Sequence, residues 1–209
     1  IDVDATILSG NRDQLMERSK TLIEIDLNDG TWFRFEKKEN LALQNEYGGT
    51  RLVFRCGLGE APAKLTKSQI VHFDIGTGDP VTPKPISSKL KPMLDSKTIS
   101  WQTYPIETST AEKLHSLVKL GDVSSRSKDI YDLSWMLERC DRTVLQTALK
   151  RTFEYRGDEL PSQPSEQLKG LNTTILRRGW TGSLGELSKK IDFDAAFSKV
   201  IGSLKSKKL

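Results

Sequence analysis

Cysteine and histidine are scarce in this 209-residue chain, with two of each. Cys56 and Cys140 stand far apart and neither has a partner at metal-ligand spacing, so zinc-ribbon and zinc-finger chemistry is excluded and the pair reads as reduced thiols. His72 and His115 are single; each reads as structural, and no Ser–His or Cys–His nucleophile arrangement can be assembled around them. A phosphate-cradling P-loop is absent as well. No apolar run approaches the length of a membrane span and no signal peptide is visible, so the expected location is cytoplasmic, with no membrane partner. Hydrophobic residues make up only 36%, which leaves four Trp and seven Phe a large share of any core. No internal repeat is present.

Charge of one sign is also missing. Lys+Arg of 32 against Asp+Glu of 28 gives a net charge of +4, compatible with a nucleotide or nucleic-acid partner without requiring one. The first fifty residues lean acidic to neutral. The C-terminal end, with Lys189, Lys190, Lys205, Lys207 and Lys208, is basic and reads more readily as a solvated tail than as an RNA-binding arm.

What the chain does have is acids and bases at defined spacing inside apolar settings. Asp2 and Asp4 flank Val3, and on a strand residues i and i+2 share a face. Asp74 sits in Ile70-Val71-His72-Phe73-Asp74-Ile75, where an acid needs a reason; the plain alternative is a hydrogen-bonded structural acid at a strand end. Three carboxylates converging on one sheet edge do not all ionise cheaply unless a cation neutralises them, and oxygen donors suit a hard divalent metal. Glu112-Lys113 is expected at the start of a helix, either as a solvated first-turn pair or with the lysine aimed at phosphates. In Arg126-Ser127-Lys128-Asp129-Ile130-Tyr131-Asp132, the acids at i and i+3 share a helix face; a surface salt-bridge cluster is the plain alternative. Asp129 is expected to face a cleft and Asp132 to pair with Arg126 or Lys128. Asp79, within Gly-Asp-Pro, reads as a turn former.

The expected order is strands first and helices later, an α+β chain. Strands are expected at the start, over Thr31–Glu36, over Thr50–Cys56 after a Gly48-Gly49 turn, and over Gln69–Ile75. A helix capped by Asn11 or Asp13 is expected between the first two, ending at Asn28-Asp29-Gly30. Four prolines in residues 80–97 predict an extended connection with little helix. Beyond it, helices are expected from a Ser109 or Thr110 cap to Gly121, over Asp129–Glu138, over Thr143–Tyr155, and as a final pair over Leu184–Lys190 and Phe193–Leu204. Residues 157–170 read as a linker or mobile loop. The division expected is a core at 1–105 and a helical lobe at 106–209.

Three stretches taken in order resemble the AbiEii/AbiGii family of nucleotidyltransferase toxins: Phe73-Asp74-Ile75-Gly76-Thr77-Gly78-Asp79-Pro80, then Tyr104-Pro105-Ile106-Glu107 through Glu112-Lys113-Leu114, then Arg126 through Leu133. Ile1–Asp4 is similar to the end of that family's Asp-x-Asp strand, and the likeness covers roughly residues 1–140. The resemblance implies a polymerase-β-like core built on a mixed β-sheet, followed by a helical C-terminal lobe. It implies metal-binding carboxylates at Asp2, Asp4 and Asp74, with Mg²⁺ as the ion, and nucleotide contacts from Lys113 and Arg126. Asp129 or Asp132 would be the catalytic acid. It also implies a nucleoside triphosphate (NTP) as substrate, an acceptor such as a tRNA 3′ end, and a cognate antitoxin as partner. Other acceptors, an antibiotic or a protein, stay open, as does a non-catalytic relative that binds nucleotide, RNA or a partner. The family's Gly-Ser or Gly-Gly turn, which holds the triphosphate, belongs ahead of the first acid. The expectation is therefore that the core is N-terminally incomplete as it begins at Ile1, and that activity requires the part ahead of it.

Overall fold

Alternation of apolar and polar residues builds a four-stranded sheet from the first third of the chain. A computed structural model describes residues 2–8, 11–41, 49–92, 97–185 and 191–209, without the side chains of Asp2, Arg12 and Thr77. The strands are β1 (Asp2–Ile7), β2 (Thr31–Asn40), β3 (Gly49–Leu58) and β4 (Gln69–Thr77), and helix α1 (Arg12–Ile23) follows β1. Their order across the sheet is β1-β4-β3-β2; β1 runs parallel to β4 and the other pairs are antiparallel, so the sheet is mixed. The chain divides into two compact units, residues 1–79 and 80–209, so the segment 80–105 clusters with the helices that follow it.

One face of the sheet is apolar. Leu52, Phe54 and Ile75 are buried there with Met16 of α1, and Ile7, Ile23, Phe33, Phe35 and Phe73 pack around them. A β-bulge between Phe35 and Lys37 makes this possible. Without it, Phe33, Phe35, Lys37 and Glu39 would all fall on one face; the extra residue, Glu36, turns the aromatics inward and the charged pair to the other side. Glu36 accepts both Nε and Nη2 of Arg55 at 2.9 Å. Asn11 caps α1, accepting the backbone N–H of Gln14. The helix ends at Ile23 rather than at the expected Asn28, because Asp26 and Asp29 take the backbone N–H groups of Asn28 and Thr31 into side-chain-closed turns that compete with helix. Of the expected Gly48-Gly49 turn, Gly48 lies outside the described residues and Gly49 opens β3.

The second unit opens with a two-stranded sheet of β5 (Ile86–Leu90) and β6 (Ile99–Thr103), and among the described residues between 80 and 97 the expectation of little helix holds. Among the described residues six α-helices follow: α2 (Ile106–Leu120), α3 (Ser127–Arg139), α4 (Arg142–Tyr155), α5 (Pro164–Lys169), α6 (Thr174–Leu184) and α7 (Phe193–Ser206). Their common core gathers Leu114, Leu117, Ile130, Leu133, Leu137, Leu149, Trp180 and Val200, among others. Helix α2 begins three residues before its expected cap at Ser109. Pro105 leads into it with φ −63°, and Thr110, one of the two residues expected as a cap, serves a tertiary contact instead. Thr108 bridges the backbone of Thr82, and Thr110 meets the Cys140 thiol at 3.3 Å. Gly121, with φ 53°, stops the helix as expected. Helix α5 lies in the segment read as a loop, α6 precedes the expected Leu184–Lys190 helix, and residues 186–190 lie outside the described residues.

Candidate active site

The polar face of the sheet carries the first group of candidate residues. In register across four strands stand Glu39 of β2, Arg51 of β3, Asp74 of β4 and Asp4 of β1. Two residues along on the same face, Lys37, Val53, His72 and Asp2 form the next row. Register partners in neighbouring strands lie about 4.8 Å apart, so Asp4 and Asp74 are immediate neighbours on one face. Asp2 belongs to that face by its position on β1, while its side chain lies outside the described residues.

Arg51 grips Asp74 with both prongs: Nε donates to Oδ1 and Nη2 to Oδ2, each at 2.7 Å. At the far end of the same row, Lys37 donates to Glu39 at 2.6 Å; that hydrogen bond, with help from the Lys37 and Arg51 charges, holds the Glu39 carboxyl below the usual carboxylate range. The donors offered by Asp4 and Asp74 are hard oxygens on adjacent rigid strands, a chemistry that fits a divalent cation such as Mg²⁺. Among the described residues no group of three His, Cys, Asp or Glu side chains is close enough to hold a metal. Asp2, the third expected ligand, is outside that set.

The second group lies where α2 meets α3. Lys113 sits about two turns into α2 rather than at its start, which removes the expected route to phosphates through the helix N-terminus. Its ammonium instead spans the two acids of α3, at 2.8 Å from Asp129 and 2.9 Å from Asp132. Burial disfavours the charge of Lys113, but the two carboxylates outweigh it and hold the ammonium pKa above its ordinary value. Arg126 Nε donates to the other oxygen of Asp129 at 2.5 Å, so Arg126 pairs with Asp129 and not, as expected, with Asp132. The Asp129 side chain is only 5% exposed and that of Asp132 17%. Helix α3 places them there because Ser127, Ile130, Leu133 and Leu137 face the core, leaving positions 129 and 132 toward α2.

A family model described as nucleotidyl transferase AbiEii toxin, type IV TA system, matches residues 1–199. The chain belongs to the AbiEii family. That family comprises nucleotidyltransferase toxins of type IV toxin–antitoxin systems. No curated protein and no solved structure matches this chain significantly. The match extends well past the motif-bearing stretches of residues 1–140 and takes in α4, α5, α6 and the first part of α7. Among the described residues no helix is long and apolar enough to cross a membrane.

Sequence reasoning missed Arg51 and Glu39. The alternation Arg51-Leu52-Val53-Phe54-Arg55 was enough to put Arg51 opposite the apolar face. Nothing in it announces that position 51 stands level with position 74, because that register depends on how the intervening turn closes.

Proposed function

We propose that this AbiEii-family chain transfers a nucleotide from an NTP to an acceptor such as a tRNA 3′ end, using Mg²⁺ held by Asp2, Asp4 and Asp74. The observation that supports this reading best is the pairing of Asp4 with Asp74 on adjacent parallel strands, with Asp2 two residues along on the same face. Bound there, the cation would neutralise the triphosphate and help activate the acceptor hydroxyl. The chain's own part is to hold the carboxylates in place: the mixed sheet fixes their spacing, and α1 covers the opposite face.

On the helical unit, Asp129 is the proposed acid that orients the acceptor, and Lys113 and Arg126 hold that carboxylate in one rotamer from two sides. The same two cations are the proposed contacts to the nucleotide. An antitoxin partner follows from the family's membership in toxin–antitoxin systems. The test is transfer of label from each α-³²P-NTP, with Mg²⁺, to bulk tRNA. Label on the RNA that disappears in Asp74→Asn is expected. Label that goes only to protein or to a small acceptor would overturn the tRNA assignment, and transfer that survives Asp74→Asn would overturn the metal site.

A further inference from the structure

The polar face of the sheet holds a cation of its own. Arg51 occupies both oxygens of Asp74 at 2.7 Å, with side-chain exposures of 25% and 20%. It stands in the same row as Asp4, so two carboxylates and one guanidinium lie side by side across the neighbouring strands β1, β4 and β3. A guanidinium stays charged at any pH a protein survives, and its planar fork matches a carboxylate edge. A small divalent cation needs carboxylate lone pairs at about 2.0–2.1 Å and suffers repulsion from a fixed positive charge beside it.

Resting on the metal-binding reading above, we propose that Arg51 is a built-in counter-cation that competes with the divalent ion for Asp74 and thereby sets the metal affinity of the site. Before metal arrives, Arg51 neutralises the Asp4–Asp74 neighbours and orients the Asp74 carboxylate. Each Asp74 oxygen keeps one lone pair beside the one Arg51 occupies. Metal loading on Asp74 either shares the carboxylate with the guanidinium or displaces one of its bonds, and in both cases meets that fixed charge at close range. Arg51 is therefore a positioning residue: it acts on the site through Asp74. The two carboxylates alone would bind a cation more tightly but would repel each other when empty.

Mn²⁺ is the probe, with its free concentration followed by electron paramagnetic resonance and the empty protein's melting temperature followed by circular dichroism. Arg51→Gln is expected to bind Mn²⁺ about tenfold more tightly than the unaltered chain, a change of ~1.4 kcal/mol. Without metal it should melt lower, and it should regain more on adding Mn²⁺. Arg51→Lys keeps a charge but not the fork, and should fall between the two; it also serves if Arg51→Gln fails to fold. Asp4→Asn should weaken Mn²⁺ binding. Equal or weaker binding in the folded Arg51 variants, with the Asp4 dependence intact, would overturn the competition while leaving the metal site standing. Mn²⁺ binding indifferent to both Asp4→Asn and Asp74→Asn, or absent from the unaltered chain and the Arg51 variants alike, would overturn both.

Discussion

His115 of α2 and Asp158, just past the end of α4, meet at 2.9 Å between Nε2 and Oδ2. Arg156 Nη1 lies 3.2 Å from the other ring nitrogen, Nδ1. A guanidinium only donates, so Nδ1 is the acceptor and the proton resides on Nε2, pointing at Asp158. The ring is 1% exposed and stands edge-on to Phe153, 4.7 Å away. Lys119 reaches the same carboxylate at 2.7 Å. The result is a neutral imidazole locked between the ends of α2 and α4.

That lock predicts a pH dependence of stability. Burial holds the His115 pKa below its ordinary 6.5, against the pull of Asp158. The unfolded chain therefore binds a proton near pH 6.5 that the folded chain refuses, and stability falls as pH drops through that value. The Asp158 carboxyl, lowered mainly by its bond to Lys119, adds stability that is lost only below the ordinary 3.8. Melting temperature should thus decline between pH 7.5 and 5.5, and His115→Gln should flatten that decline while lowering the plateau. An unchanged slope in the variant would remove His115 as its source.

Lys113 is predicted to matter to the fold as well as to activity. Lys113→Met leaves Asp129 and Asp132 facing each other with one cation, Arg126, on one of them. The expected loss is about 1–3 kcal/mol, since a charge-assisted hydrogen bond is removed from a largely buried carboxylate. Because the folded ammonium pKa is raised, its contribution is complete below the ordinary 10.5 and fades as pH rises through the folded value. Denaturant titrations at pH 8 and above 10.5 should show the variant and the unaltered chain converging at the higher pH. A variant as stable as its parent at pH 8 would mean the clamp contributes nothing.

The two acids of α3 are predicted to separate by burial. Asp129 is gripped by both Arg126 and Lys113, whereas Asp132 meets Lys113 alone among the ion pairs described. Asp129→Asn should therefore cost more stability than Asp132→Asn. If Asp129 is the orienting acid, its variant should also lose about 10²–10⁴ in transfer rate, measured on protein shown to be folded. Loss of rate in Asp132→Asn with Asp129→Asn active would reverse the assignment.

How much of this was legible beforehand depends on the range of the interactions that decide it. The α+β order, a cap at Asn11 or Asp13 (Asn11 serves), the Gly121 stop and the shared face of the acids at 129 and 132 are set by local residue order, which the sequence exposes. The level at which Asp74 meets Asp4 and Arg51 depends on register, which a single residue of slip would change. Lys113 lies about two turns into its helix rather than at the start because α2 begins at Ile106, where Pro105 and the Thr108–Thr82 contact override the capping signal of Ser109 and Thr110. Helix α6 carries two glycines, Gly179 and Gly182, that weaken its local signature, and burial of Leu176, Trp180 and Leu184 sustains it instead.

Gly179 gives the last prediction, because its place in α6 is decided by a neighbour and not by the backbone. A Cβ there would come within 2.6 Å of the Ser127 hydroxyl, which itself donates to the Leu176 carbonyl at 2.7 Å. Alanine would ordinarily favour a helix by about 0.5–1 kcal/mol over glycine. Here the clash with a fully buried hydroxyl at the start of α3 should outweigh that gain, making Gly179→Ala destabilising by about 1–3 kcal/mol. Ser127→Ala removes the clashing oxygen and leaves the Ser127 Cβ position 3.6 Å away, an ordinary contact. In a double-mutant cycle the pair should therefore be less destabilised than the sum of the single variants. Additive losses would show that α6 shifts to accommodate the methyl group and that Ser127 is not what demands a glycine there.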